Sequence, residues 1–435
     1  MWEIFGFKEN PYSCRALQAS ENDVDLLIGR KKEAVNFYTN LETAKEGIVI
    51  ISGKPGLGKT SFLNVQQYLL ESETAICGPR LIACRHLTTI NPEEHPREIA
   101  LRALHNLYKS VMTYCMRVDE EPTDDMKNLG NWITDSYPPG FQLSLNDGGF
   151  GRQFVLPYLR YATYEVISDI MQWLVREAII YFDRPGIMMT FDNIENLEEA
   201  HLNKLLITFR DTLFSIPNVW WVLIGQSGLS SFIQSLDQRV SQRISGNSFE
   251  LDPISKDDFH AAIEQRIAKF SNNYNKAPLH KEVHEYLYDA ASGQIRFVFK
   301  YATSICTKWL SEKRNELYDR RLKSWELDSL VSKCLVEGQI EKDESFKILK
   351  DIVNQEIVHL RISSKEVEIL RLIGNLGSVR PKDHGHFSIK TMQQFSSQYL
   401  TKLHNQSLLT REQEGKAVIY SLGGLAMIAH KFNLF

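Results

Sequence analysis

Gly53-Lys54-Pro55-Gly56-Leu57-Gly58-Lys59-Thr60 satisfies the spacing G-x-x-x-x-G-K-[ST] at every fixed position. Before it, Gly47-Ile48-Val49-Ile50-Ile51 reads as a strand buried on both faces, and after it Thr60-Ser61-Phe62-Leu63-Asn64-Val65 opens a helix. Strand, glycine loop and helix in that order predict a site for a nucleoside triphosphate at residues 53 to 61. Glycines let the backbone turn back and bring its N–H groups around phosphate oxygens, while the helix N-terminus adds free donors and its dipole. Lys59 is expected to reach the β- and γ-phosphates, and Thr60 to give its hydroxyl to Mg²⁺.

Working outward, 435 residues with 43% apolar content predict two or three globular domains with substantial cores. The formal net charge of −4 excludes an overall polycation, so nucleic-acid contact would require a local patch. No apolar run reaches membrane-spanning length, and Met1-Trp2-Glu3-Ile4-Phe5 has no basic, apolar leader, so a cytoplasmic protein is expected. The six cysteines at 14, 77, 84, 115, 306 and 334 show neither C-x-x-C pairs nor zinc spacing, which predicts reduced thiols.

Ahead of the loop, an aromatic and turn-rich arm (Phe5 to Tyr12) leads to Leu27-Ile28-Gly29-Arg30-Lys31-Lys32-Glu33 and then to a helical pattern through Phe37, Tyr38 and Leu41. This stretch resembles the "GR..E" box of AAA+ ATPases of the origin-recognition and replication-initiator type, and of related STAND ATPases. The resemblance implies that Gly29 and Arg30 help form an adenine pocket, with ATP as the nucleotide.

Downstream, Leu81 to Leu87 reads as a strand and Pro96 to Tyr114 as a helix. Residues 116–158 look like an insertion carrying a hairpin, with Phe141 to Leu145 and Gln153 to Leu156 as strands; its aromatic, glycine-rich tip suits either a partner contact or a cover over the sheet. Gly186 to Phe191 is a buried strand ending in Asp192, the Walker B arrangement in which a carboxylate holds Mg²⁺. The next position in hydrolytic AAA+ proteins is usually a glutamate that polarises water, whereas here it is Asn193, which cannot accept a proton at neutral pH. Either Glu195 supplies the base from the next turn or hydrolysis is slow.

His201 to Ile216 has the apolar spacing of an amphipathic helix, and Val219 to Gly225 reads as a further buried strand that ends at Gln226-Ser227. By resemblance, Gln226, or alternatively Ser227, senses the γ-phosphate. Asp237 to Ile244 is similar to the segment in which initiator ATPases keep arginines facing a neighbouring subunit's nucleotide, which nominates Arg239 and Arg243 against the alternative of a solvated helix face. Ser248 to Leu251 is an edge strand. Ser255 caps a helix, and Gly293-Gln294-Ile295-Arg296 matches the second-sensor signature, so Arg296 is expected to reach back to the γ-phosphate. The capping box Ser363-Ser364-Lys365-Glu366, a second helical region over Ser388 to Asn405, and a hairpin at 408–422 have the layout of a winged helix.

The expected fold is therefore α/β: a three-layer P-loop NTPase core of AAA+ type, a helical lid and a C-terminal winged helix domain. The boundaries are an arm and adenine-box helix at 1–45, a core at 46–252, a lid at 253–325 and a winged helix at 326–435. The expected function is an ATP-binding, slowly hydrolysing switch that forms homo-oligomers and acts on DNA, with Gln398, Lys402, Arg411 and Lys416 as nucleic-acid contacts. The alternative is a STAND-like signalling or defence scaffold whose winged helix docks a separate protein effector. A phosphotransferase is not expected, because no acceptor pocket follows Asp192.

Overall fold

The structure, a computed structural model, describes the chain except residues 73–77, 93, 135–141, 148–149, 156–161, 198, 237–241, 243–247, 273–275 and 415–416. Its centre is a parallel sheet built from β1 (Gly47–Gly53), β2 (Ile82–Ala83) and β3 (Thr88–Thr89) early in the chain and, after the antiparallel hairpin β4 (Gln142–Asp147) and β5 (Phe150–Val155), β6 (Ile187–Asp192), β7 (Val219–Ile224) and β8 (Phe249–Leu251). The order β2-β6-β7-β1-β8, with β3 also on β6, inserts β7 between the loop strand and the acid-ending strand. This is the α/β P-loop architecture that the sequence predicts.

The sheet is parallel throughout, and its strands are apolar on both sides, because helices cover both faces. Ile48, Ile50, Phe191, Trp221 and Leu223 face one buried cluster with the helices Pro96–Val118, Tyr164–Tyr181 and Glu199–Arg210. Val49, Ile51, Met188, Trp220 and Val222 face the other, with the helices Lys31–Glu42 and Lys59–Glu71. Three layers follow directly from this alternation.

Local departures from expectation have identifiable causes. The strand predicted over 81–87 is confined to Ile82–Ala83, with a second short piece at Thr88–Thr89 beyond it, and between them Arg85 turns out to an ion pair with Glu71 and donates to the Ala19 carbonyl at 2.7 Å. The predicted helix 201–216 ends at Arg210 and is followed by a separate turn at Leu213–Ser215, since Thr212 adopts φ −119°, ψ −88°. Pairing in the inserted hairpin continues to Asp147 opposite Phe150, so its strands are longer than expected; Phe141 and Leu156 lie outside the described residues.

Beyond the sheet come the helices Lys256–Phe270, Lys281–Ala290 and Ile295–Leu317, the first capped by Ser255 Oγ, which accepts from the Asp258 N–H at 3.1 Å. The helix Lys342–His359 then crosses the last of these and leads to Ser364–Leu376, whose capping box of Ser363 and Glu366 is formed reciprocally. The next helix starts at Met392–Gln394, passes through a π-helical stretch at Phe395–Leu400 and ends at Thr401–Asn405. β9 (Ser378–Val379), β10 (Leu409–Glu414) and β11 (Ala417–Leu422) make a three-stranded sheet, and Gly424–Lys431 is the final helix. Among the described residues no helix is long and apolar enough to cross a membrane.

One buried cluster runs from Phe5, Phe7 and Tyr12 of the arm through the lid and on to Leu403, Leu409 and Ala429. Among the described residues this cluster continues across residue 325. Trp309 sits at this junction, fully buried against the Phe5 ring, with its indole N–H donating to Glu344 Oε2 at 2.7 Å. Trp309→Ala is expected to lower stability by about 3–5 kcal/mol, because it leaves a large cavity between lid and C-terminal helices. Chemical denaturation monitored by circular dichroism measures this, and a loss below about 1 kcal/mol would show that the junction tolerates repacking.

Candidate nucleotide site

The loop between β1 and the helix Lys59–Glu71 follows its glycines. Gly56 and Gly58 take φ of 82° and 90°, left-handed values that strain any side chain, and Gly58 is the residue from which the helix starts. Lys59 curls over the loop, its Nζ donating to the carbonyls of Gly53 at 2.7 Å and Lys54 at 3.2 Å. Burial pushes the Lys59 pKa down, opposed first by Glu195 and then by Asp192.

The acid strand β6 delivers Asp192 to the same end of the sheet. Thr60 Oγ1 lies 3.4 Å from Asp192 Oδ2, so a hydroxyl and a carboxylate oxygen face one small volume. These are hard oxygen donors of the kind Mg²⁺ takes, so the pair fits the predicted metal position. Asp192 is 8% exposed and its pKa is raised by burial, an effect opposed by the Asn193 N–H that donates to Oδ1 at 2.9 Å.

Asn193 adopts a left-handed φ of 61°, which turns the chain into the short helix Ile194–Asn196. That turn places Glu195 where its carboxylate opposes the lowering of the Lys59 pKa more than Asp192 does. Glu195 Oε2 is buried without a hydrogen-bond partner and lies 3.3 Å from where a Cβ on Gly225 would sit. Its pKa is raised by burial, opposed by its own backbone hydrogen bond and then by Lys59. Gly225 closes β7, its N–H donating to the Ile51 carbonyl of β1 at 3.1 Å, and Gln226 follows half-buried at that edge.

From the lid, the Arg296 N–H approaches the Gly56 carbonyl at 3.4 Å, and a Cβ on Gly56 would lie 3.5 Å from the Arg296 Cβ. Arg296 bears electrostatically on both Lys59 and Asp192. Lys59, Thr60, Asp192, Glu195, Gln226 and Arg296 are thus gathered around the loop. Arg239 and Arg243 lie outside the described residues.

Arg30 has a structural task that sequence reasoning did not show. Its guanidinium donates to the carbonyls of Leu57 at 2.9 Å and Asp252 at 2.7 Å and to Glu33 Oε1 at 2.8 Å, bolting the box to the loop and to the core–lid junction. Arg30→Ala is expected to cost about 2–4 kcal/mol, since two carbonyls lose a charged donor; Arg30→Lys should recover little of it, lacking the planar fork. Thermal unfolding of the three proteins checks this, and a lysine variant as stable as wild type would contradict it.

Sequence reasoning also missed the arm's part in the site. The Leu17 N–H donates to Ser61 Oγ at 3.1 Å, and Asn64 Nδ2 donates to the Leu17 carbonyl at 2.8 Å. Ser61 is therefore engaged by the arm. A narrow cavity of 80 Å³ behind the loop is lined by Cys14, Ala16 and Leu17 of the arm, by Arg30, Gly56 and Gly58, and by Phe299 of the lid. Gly29, φ 73°, packs where a Cβ would come within 2.8 Å of Asp258.

The residues expected on DNA are dispersed. Gln398 is exposed, Lys402 forms a 2.6 Å ion pair with the buried Glu366, Arg411 lines a cleft facing the core, and Lys416 lies outside the described residues. A separate groove of 670 Å³ runs between Arg380 and Lys382, the helix residues Gln393, Ser396 and Ser397, and Val418 of β11. Ser396 and Ser397 in its wall belong to the helical stretch Phe395–Leu400 that also carries Gln398.

No protein-family model and no curated protein matches the chain. Among solved structures it is similar to Aeropyrum pernix ORC2 in ADPNP–ADP complexes, at 14% identity and a TM-score of 0.44, over 98% of this chain and 99% of that one. It is also similar to Aeropyrum pernix ORC1 in complex with DNA, at 13% identity and a TM-score of 0.43 over 99% of each chain. Pyrobaculum aerophilum Cdc6p aligns at 12% identity and a TM-score of 0.40, over 100% of this chain and 99% of that one. The chain is thus similar over its full length, at low identity, to origin-recognition structures, and the P-loop fold itself rests on the strand order and loop geometry described above.

Proposed function

We propose that the protein is an ATP-binding switch with slow hydrolysis, which assembles with further copies of itself and acts on duplex DNA. One observation carries this reading. Arg296, in contact with the phosphate loop, sits on the helix Ile295–Leu317, and that helix shares a continuous buried core with the C-terminal unit. A change at the phosphate loop would therefore move the lid and the C-terminal helices together.

In the hydrolytic step, Glu195 takes a proton from a water aligned with the γ-phosphate. The water oxygen bonds to the γ-phosphorus while the bond to the β–γ bridging oxygen breaks, releasing ADP and phosphate, and Glu195 returns the proton to solvent. Lys59 and Arg296 stabilise charge on the transferring group. Thr60 and Asp192 would hold a Mg²⁺ ion, which would supply charge neutralisation to the phosphates. Asn193 in place of an adjacent acid leaves a single displaced base, which supports slow turnover.

Sedimentation with ATP, ADP and no nucleotide, paired with anisotropy of labelled duplex DNA across a salt series, tests the reading. ATP-dependent assembly and salt-dependent DNA binding are expected. Identical sedimentation in all three states together with no DNA binding would overturn it. The second reading, a scaffold that docks a protein effector, gains support from Lys402 being paired with Glu366, which thins the cationic face. A stoichiometric protein partner without DNA on purification from the native host would favour it.

A further inference from the structure

The helix Ile295–Leu317 ends in a turn, and the chain then reverses into the short helix Ser324–Ser332. Arg314 ties the two helices together, its Nε and Nη2 donating to Asp328 Oδ1 at 3.0 and 2.7 Å. At the tip between them lies Tyr318-Asp319-Arg320-Arg321-Leu322-Lys323-Ser324-Trp325. Tyr318 and Trp325 are each 66% exposed, more than any other aromatic residue among those described. Large aromatic rings gain free energy on burial, so two left in water on one tip mark a contact surface.

The free charge on this tip is cationic. Asp319 Oδ1 accepts from the Arg321 N–H at 2.9 Å and the Asp319 carbonyl from the Leu322 N–H at 3.0 Å, which closes the turn. Glu326 Oε2 accepts from the Lys323 N–H at 2.7 Å and caps the following helix. Glu316 pairs with Lys313 at 3.1 Å, and Asp328 is held by Arg314. These carboxylates hold the hairpin together, whereas Arg320, Arg321 and Lys323 are exposed and have no ion-pair partner among the described residues. Ring, three cations and ring is the order along the turn, in a chain whose formal net charge is −4.

We propose that this hairpin tip binds single-stranded nucleic acid. Tyr318 and Trp325 stack on unpaired bases, and Arg320, Arg321 and Lys323 meet the phosphates between them. An unpaired strand suits the tip better than a duplex, because a duplex hides its base faces in its own stack and leaves the two rings nothing to lie against. It suits the tip better than an acidic protein surface, because bases and phosphates alternate along a strand as rings and cations do along this turn. None of these residues is among those assigned above to nucleotide or duplex DNA, and strand binding does not rest on those readings. One consequence does rest on the switch reading: the helix that ends at the tip carries Arg296 in its first turn, so 23 residues of helix, about 34 Å, join phosphate loop to tip and make the grip on a strand depend on the bound nucleotide.

The test titrates the full chain into a labelled oligothymidylate, which has no stable secondary structure, and follows anisotropy across a salt series. Saturable binding is expected, weakened about tenfold or more by Trp325→Ala and largely retained in Trp325→Phe, since one stacked base is worth roughly that factor. Arg320→Ala combined with Arg321→Ala should lower affinity and reduce the salt slope by about 1.4, at about 0.7 per phosphate. These side chains are exposed, so thermal unfolding of each variant should match wild type. No saturation at low salt would overturn the proposal, as would binding indifferent to Trp325→Ala. Trp325-dependent binding of phosphatidylserine vesicles or of polyglutamate, with none of the oligothymidylate, would overturn it in favour of a membrane or an acidic protein. Labelled duplex of the same length, measured in parallel, reports the duplex reading independently, and an equal loss on duplex and single strand in Trp325→Ala would show that the rings do not read unpaired bases.

Discussion

Lys59→Ala is expected to weaken ATP binding by about 100-fold or more, equivalent to roughly 2.7 kcal/mol, while leaving the fold intact. The first half of this expectation follows from position. Lys59 Nζ is poised over the loop carbonyls of Gly53 and Lys54, beside Thr60 and within the field of Asp192 and Glu195, where an ammonium meets β- and γ-phosphate oxygens. The second half follows from packing. Those two carbonyl contacts are local to the loop, and Lys59 belongs to none of the buried clusters, so its truncation opens no cavity. Titration with a fluorescent ATP analogue and thermal unfolding measure the two halves separately. An affinity within about threefold of wild type would remove the assignment of Gly53 to Thr60 as the triphosphate site.

Glu195→Gln is expected to lower the hydrolysis rate by about 100- to 10,000-fold with ATP affinity retained, because it removes the proton acceptor but preserves shape. Asn193→Glu should leave the rate unchanged or raise it. The pH profile sharpens the comparison. Burial raises the Glu195 pKa above the usual glutamate range, so the ionised base form accumulates at higher pH than for an exposed glutamate. The wild-type rate should therefore rise with pH through that elevated pKa, and the residual rate of Glu195→Gln should lack this limb. Single-turnover hydrolysis over a pH series reads both. Equal rates in wild type and Glu195→Gln would transfer the base to another group, and abolition of turnover by Asn193→Glu would contradict the idea that Asn193 dampens it.

The two predictions stand differently toward the sequence. The phosphate loop was legible in eight residues, because each requirement is local: glycines for left-handed backbone at 56 and 58, a lysine and a threonine at set distances, and apolar residues for a doubly covered strand. The same holds for the caps at Ser255 and at Ser363 with Glu366, where the partners are three residues apart. Lid and C-terminal helices were legible from periodicity, but the continuity of their core was not, since Trp309 with Glu344 and Tyr301 with Glu356 pair residues 35 and 55 positions apart.

The chain's order of residues thus specified the α/β core, the glycine loop after β1 and the acid that ends β6, all set by backbone requirements and burial within a few neighbouring positions. Sequence reading offered Glu195 as one of two alternatives, and the position of its carboxylate toward Lys59 came from the fold. It depends on β6 and β7 lying side by side, on the left-handed turn at Asn193, and on Gly225 leaving room for the Glu195 side chain. Arg30 obeys the same logic: its partners Leu57 and Asp252 are brought to it by the meeting of loop, core and lid. Contacts between distant segments are fixed by how elements pack, and that information is spread over the whole chain instead of residing in any one stretch of it.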